Sequence, residues 1–78
     1  MKVLVFGAAR DIIEKGELNI ELTAPKSIQS FRADLMHEFP ALKNLNALAI
    51  AVNEVYANDD VVVNNQDVVA LIPPVSGG

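Results

Sequence analysis

Val68-Val69-Ala70-Leu71-Ile72-Pro73-Pro74-Val75-Ser76-Gly77-Gly78, the last eleven residues, decides how the rest of the chain is read. Five consecutive apolar residues make a short strand covered on both faces, which belongs in the middle of a sheet. Two prolines follow. Each holds φ near −65° and removes a backbone donor, so pairing ends at Ile72 and the chain leaves as an extended stalk. The stretch then reaches Gly77 and Gly78, where a terminal carboxylate without a neighbouring Cβ fits a channel too narrow for any other residue and leaves the Gly78 carbonyl carbon open to attack. Six residues at about 3.3 Å each span roughly 20 Å, enough to carry that carboxylate from one protein body into another. The expected organisation is one folded domain over 1–72 and an extended tail over 73–78 that can reach into the interior of another protein.

A chain of 78 residues has room for a single core and none for a private catalytic cleft. Its composition, 51% hydrophobic and 21% charged, is that of a globular domain. The absence of cysteine excludes disulfides, thiolate metal sites, iron–sulfur clusters and a thiol nucleophile of the chain's own. The net charge is −4, and Lys2, Arg10, Lys15, Lys26, Arg32 and Lys43 are scattered along the sequence. Nucleic acid is therefore not an expected partner. The apolar run at Val3–Phe6 is too short for a signal-peptide core or a membrane span, so the expected setting is cytoplasmic, with no membrane contact. His37 is the sole histidine, and Asp59-Asp60 lacks the spaced oxygen donors of a calcium loop. Neither a metal nor a bound cofactor is expected on this chain.

Upstream of the tail, Lys2–Phe6 reads as a buried strand ended by Gly7, with Val3 and Val5 on one face and Leu4 and Phe6 on the other. If the valines pack on a helix, Phe6 is left for a second contact surface. Arg10–Lys15 forms about one helical turn stopped by Gly16. Glu17–Thr23 alternates with period two, which predicts a strand with Leu18, Ile20 and Leu22 toward the core and an antiparallel hairpin with the first strand. Ser27 is a good N-cap for a helix from about Ile28 to Phe39, whose stripe is Ile28, Phe31, Leu35 and Phe39, with Asp34 and Glu38 on the solvated side. Ala41–Ala47 reads as a loop, Leu48–Val52 as a strand, Asn53-Glu54 as a turn before Val55–Ala57, and Val61–Val63 as another short apolar strand. In Asn64–Asp67 an asparagine is expected to take positive φ. The sum is an α+β domain, one main helix on a mixed sheet of about five strands, with the terminal strands parallel in its middle.

That order, together with Val68–Gly78, Ala49–Ala57 and Lys2–Arg10, resembles the β-grasp fold of ubiquitin and its sulfur-carrier relatives, the MoaD/ThiS family, and within it the MoaD branch. The resemblance implies a sulfur carrier for molybdenum cofactor synthesis. An adenylating enzyme, MoeB-like, would use ATP to join the Gly78 carboxylate to AMP. Sulfur from an external persulfide would then displace AMP and leave a thiocarboxylate. The tail would insert into the large, MoaE-like subunit of molybdopterin synthase and donate sulfur to a pyranopterin precursor, in a heterotetramer with the large subunits at its centre. On this reading Gly78 reacts, Gly77 gives it access, Pro73, Pro74, Val75 and Ser76 thread the channel, and Phe6 with Ile72 forms an apolar docking face. The chain would be the sulfur-donating subunit of an enzyme and not catalytic alone. Two further readings share the fold: a ThiS-like carrier for thiazole synthesis, and a ubiquitin-like tag joined to lysines. The Pro-Pro-Val-Ser spacer favours the molybdopterin branch.

Overall fold

The computed structural model describes residues 1–45 and 47–74. Its elements are β1 (Lys2–Val5), α1 (Gly7–Ile13), β2 (Glu17–Asn19), β3 (Lys26–Ser27), α2 (Ile28–Glu38), a 3₁₀ turn (Pro40–Asn44), β4 (Ala49–Val52), β5 (Val55–Tyr56), β6 (Val62–Val63) and β7 (Val68–Ile72). Five strands form a mixed sheet in the order β2-β1-β7-β4-β5, and β3 pairs with β6 in a separate two-stranded sheet. The apolar terminal strands lie side by side and parallel, Val3 opposite Val69 and Val5 opposite Leu71. β7 lies in the centre and is apolar on both faces along its whole length, as a strand covered on both sides requires.

Residues of β1, β4 and β7 alternate between faces. Val3, Val5, Ile50, Val69 and Leu71 point inward and are almost fully buried with Ile28, Phe31 and Leu35 of α2. Ser27 caps α2, its Oγ accepting from the Ser30 N–H at 3.2 Å. The donors of Ile28 and Gln29 go to the carbonyls of Val61 and Asp59. Three amides that a helix start leaves unpaired are thereby satisfied, two of them by the segment leading into β6. Asp34 is exposed and pairs with Lys26, as a solvated helix face requires. This strap of strands around one helix is a β-grasp fold.

Four local expectations need correction. α1 ends at Glu14, which takes φ 66°, and not at Gly16. The chain must reverse early enough for the Gly16 carbonyl to accept from Val5 at 2.9 Å, and that pairing outweighs the cost of about 1–2 kcal/mol for a left-handed non-glycine residue. β2 stops at Asn19, short of Thr23. Beyond it the backbone of Leu22 is paired by a side chain: the Asn65 carboxamide accepts from the Leu22 N–H at 2.7 Å and donates to its carbonyl at 2.8 Å. Leu22 is therefore buried without a strand partner. Pro40–Asn44 is a 3₁₀ turn where a loop was expected, with Leu42 fully buried beneath it. In Asn64–Asp67 no residue has positive φ; that conformation falls at Asn53 and Glu54, φ 50° and 71°, the pair that joins β4 to β5. Two consecutive left-handed residues match the strand twist of a tight hairpin.

Candidate functional site

The face of the sheet turned away from α2 is built from the other half of the alternation. Across four strands the register aligns Leu4 with Ala70, Ala70 with Ala51, and Ala51 with Tyr56. Two alanines in the middle of the row leave a trough between the larger side chains at its ends. The result is an open groove of about 590 Å³ lined also by Phe6, Val68 and Ile72, with Asn53 and Glu54 on its polar rim. Phe6 is 49% exposed and Tyr56 70%. An apolar surface of this kind, rimmed by polar residues, is what protein docking sites offer. Lys2, outward on β1 by alternation, lies 3.6 Å from Glu17 on the opposite side of the groove from Tyr56. That pair is exposed and adds little stability.

The rim is held by a polar clasp. Asn53 Nδ2 donates to Asp67 Oδ1 at 2.9 Å, the Asn64 N–H donates to Asp67 Oδ2 at 2.9 Å, and the Val68 N–H donates to Asn53 Oδ1 at 3.0 Å. The β4–β5 turn is thus fastened to the start of β7. The backbone donor of Asn64, helped by the Asn53 amide, holds the Asp67 carboxyl below its usual value of 3.8.

At the other end of the groove lies the exit of the tail. β7 ends at Ile72, which β4 holds opposite Ala49. Pro73 has no amide to continue the ladder and is half-buried, while Pro74 is exposed. Phe6 and Ile72 both line the groove beside this exit, so the two residues singled out as a docking face do share one surface with the base of the tail. Val75, Ser76, Gly77 and Gly78 lie outside the described residues.

Ala51, Ala70, Tyr56 and Val68 were not singled out from the sequence. Period-two alternation places them outward, but only the register shows that the alanines meet and form a floor. Among the described residues no group of His, Asp or Glu side chains is arranged to hold a metal ion. His37 is exposed on α2. No helix of the described residues is long and apolar enough to cross a membrane.

A sequence model of the ThiS family matches residues 3–78. Over 79 residues the chain is 33% identical to the molybdopterin synthase sulfur carrier subunit of Arabidopsis thaliana, with 100% of this chain and 82% of the relative covered. Among solved structures it is similar to molybdopterin converting factor subunit 1 from Pyrococcus furiosus, with a TM-score of 0.83, 26% identity and 95% of each chain covered. It also matches a chain of the complex of subunits 1 and 2 of the molybdopterin-converting factor from Helicobacter pylori, with a TM-score of 0.67, 28% identity, and 99% of this chain and 96% of that one covered.

Proposed function

We propose a function from one premise: the chain belongs to the ThiS/MoaD family. On that premise it is the sulfur-carrier subunit of a molybdopterin synthase, and its partner is the large subunit. The observation that carries this reading is the continuity of the outward groove with the tail exit, since Phe6 and Ile72 belong to both. A partner seated on the groove has the base of the tail at its own surface. The full-length likeness to a molybdopterin synthase sulfur carrier subunit, and the likeness to a chain from a complex of subunits 1 and 2, support the same choice.

The chemistry falls on Gly78. A carboxylate is a poor electrophile, so it must first be activated. One of its oxygens attacks the α-phosphorus of ATP held by an adenylating enzyme, pyrophosphate leaves, and an acyl-adenylate remains. The terminal sulfur of an external persulfide attacks the carbonyl carbon and AMP departs. A thiol then cleaves the remaining S–S bond, freeing the thiocarboxylate. With no cysteine in the chain, both sulfur and reductant come from outside. Inside the large subunit the thiocarboxylate sulfur displaces an oxygen from a carbon of the pyranopterin precursor, a C–S bond forming as the C–O bond breaks. Water then cleaves the acyl–sulfur bond, which leaves the sulfur on the precursor and regenerates the Gly78 carboxylate. Gly77 supplies the clearance, Pro73 to Ser76 thread the channel, and two small subunits flank two large ones.

Intact-mass measurement tests this. After incubation with the adenylating enzyme, ATP and a sulfur donor, the expected result is replacement of one oxygen by sulfur, confined to the fragment holding Gly78. Large subunit and precursor then discharge it. No replacement, with the adenylating enzyme active on another carrier, overturns the reading. Discharge only to a thiazole synthase assigns the chain to the other branch of its family, and Gly78 in isopeptide linkage makes it a tag.

A further inference from the structure

Where the tail leaves the sheet it crosses a residue without a side chain. Gly7 opens α1 with φ +54°, and a Cβ placed on it would lie 2.9 Å from Cγ and 3.8 Å from Cδ of Pro73. The first distance is well inside the optimal carbon–carbon separation of about 3.5–4.0 Å. The Pro73 ring thus occupies space that only glycine leaves open. The seat is tied to the strand below it: Val5 pairs with Leu71, and the Phe6 N–H donates to the Leu71 carbonyl at 3.3 Å. On the other flank β4 holds Ile72 against Ala49. Pro73 is the first residue past the ladder, with Gly7 beneath its ring.

We propose that Gly7 is a positioning residue for the terminal carboxylate: by seating the Pro73 ring it sets the direction in which the tail leaves the sheet relative to the docking groove. The inference rests on the carrier reading above. A pyrrolidine ring can yield only by changing its pucker and cannot swing away as an open side chain does, so what the pucker does not relieve falls on the backbone at 72–73. That displacement changes the direction in which the chain sets out from Pro73 and Pro74. Four residues beyond Pro74 have a contour of about 13 Å, over which a turn of roughly 10° becomes about 2 Å. Misplacing a reacting atom by about 1 Å can cost around 100-fold in rate. The groove floor at Ala51 and Ala70 does not touch Gly7, and of the groove's lining only Ile72, at its edge, lies in the displaced backbone, so docking is affected far less than transfer.

The test is a double-mutant cycle on Gly7 and Pro73. Gly7→Asn accompanies Gly7→Ala because asparagine tolerates positive φ yet still carries a Cβ. For each variant three quantities are measured: the melting temperature, affinity for the large subunit, and single-turnover sulfur transfer from the thiocarboxylated chain at saturating large subunit. In the native chain, a nuclear Overhauser contact between Gly7 Hα and Pro73 Hγ reports the seat directly. The contact is expected to be present. Both Gly7 variants are expected to bind within about threefold of the native chain and to transfer sulfur about 10- to 100-fold more slowly. In a Pro73→Ala background, Gly7→Ala is expected to slow transfer by no more than about threefold further, while still lowering the melting temperature, because the φ penalty remains and the clash does not. An absent contact, native-like transfer by folded Gly7→Asn, or strictly additive losses in the cycle overturn the role of Gly7 alone. A native chain that neither binds the large subunit nor transfers sulfur overturns the carrier reading and this proposal with it.

Discussion

The inward and outward faces of the sheet are written by alternate residues of the same strands, and they end in opposite states. Inward, Val3, Val5, Ile50, Val69 and Leu71 are closed over by α2 and Leu42. Outward, Leu4, Ala70, Ala51 and Tyr56 form a row that no other described element covers. An eleven-residue helix is about 16 Å long and 10 Å wide, so it can roof one face of a small sheet and not two. The difference lies in side-chain size as well as cover. Bulky branched residues fill the inner face to core density, whereas the two alanines hollow the outer one. One face is completed by the chain itself; the other, on the proposed reading, is completed by a second protein.

Substitutions at adjacent residues of β7 break this comparison most sharply. Leu71→Ala, on the inner face, is expected to cost about 2–5 kcal/mol, and each kcal/mol lowers the melting temperature of a domain this size by about 4–8 °C; calorimetry of the isolated chain measures it. Ala70→Glu, one residue away on the outer face, is expected to change stability by about 1 kcal/mol or less while weakening large-subunit binding at least about 100-fold, roughly 2.7 kcal/mol. Titration calorimetry checks the second figure, and native-like binding by Ala70→Glu removes the groove from the docking site. Phe6→Ala trims the groove's edge and leaves its floor intact, so a loss of about tenfold in affinity is expected, with little change in melting.

The smallest expected effect concerns the clasp at the rim. Folding lowers the Asp67 pKa below 3.8, chiefly through the Asn64 backbone donor. Its contribution to stability is therefore complete above that value and is lost as pH falls through the lower folded one. Asp67→Asn should flatten the acid side of the stability curve slightly and leave neutral-pH binding almost unchanged. An acid limb identical to that of the native chain would show that the clasp contributes nothing measurable.

Much of this could be read from the residue pattern because short-range rules govern it. The Ile28, Phe31 and Leu35 stripe, the Ser27 cap, the central position of an all-apolar β7 and the outward Phe6 follow from periodicity, capping and proline chemistry. The stalk expected over Pro73 to Gly78 lies, from Val75 on, outside the described residues. Where the reading failed, a distant residue had replaced a local signal. Asn65 takes the role of a strand partner for Leu22, which no pattern within Glu17–Thr23 announces. Glu14 adopts the left-handed turn that Gly16 was expected to supply, because β1 requires the Gly16 carbonyl.

The sequence alone determined which residues alternate and where the main helix begins, since each depends on neighbours a few positions apart. Only the tertiary structure decided that Ala70 meets Ala51 to floor a groove, and that Gly7 lies under Pro73 at the tail's exit. Both contacts join residues far apart in the chain. Such contacts arise from strand register and the turn of α1, which are settled when the faces pack and not by the residues on either side.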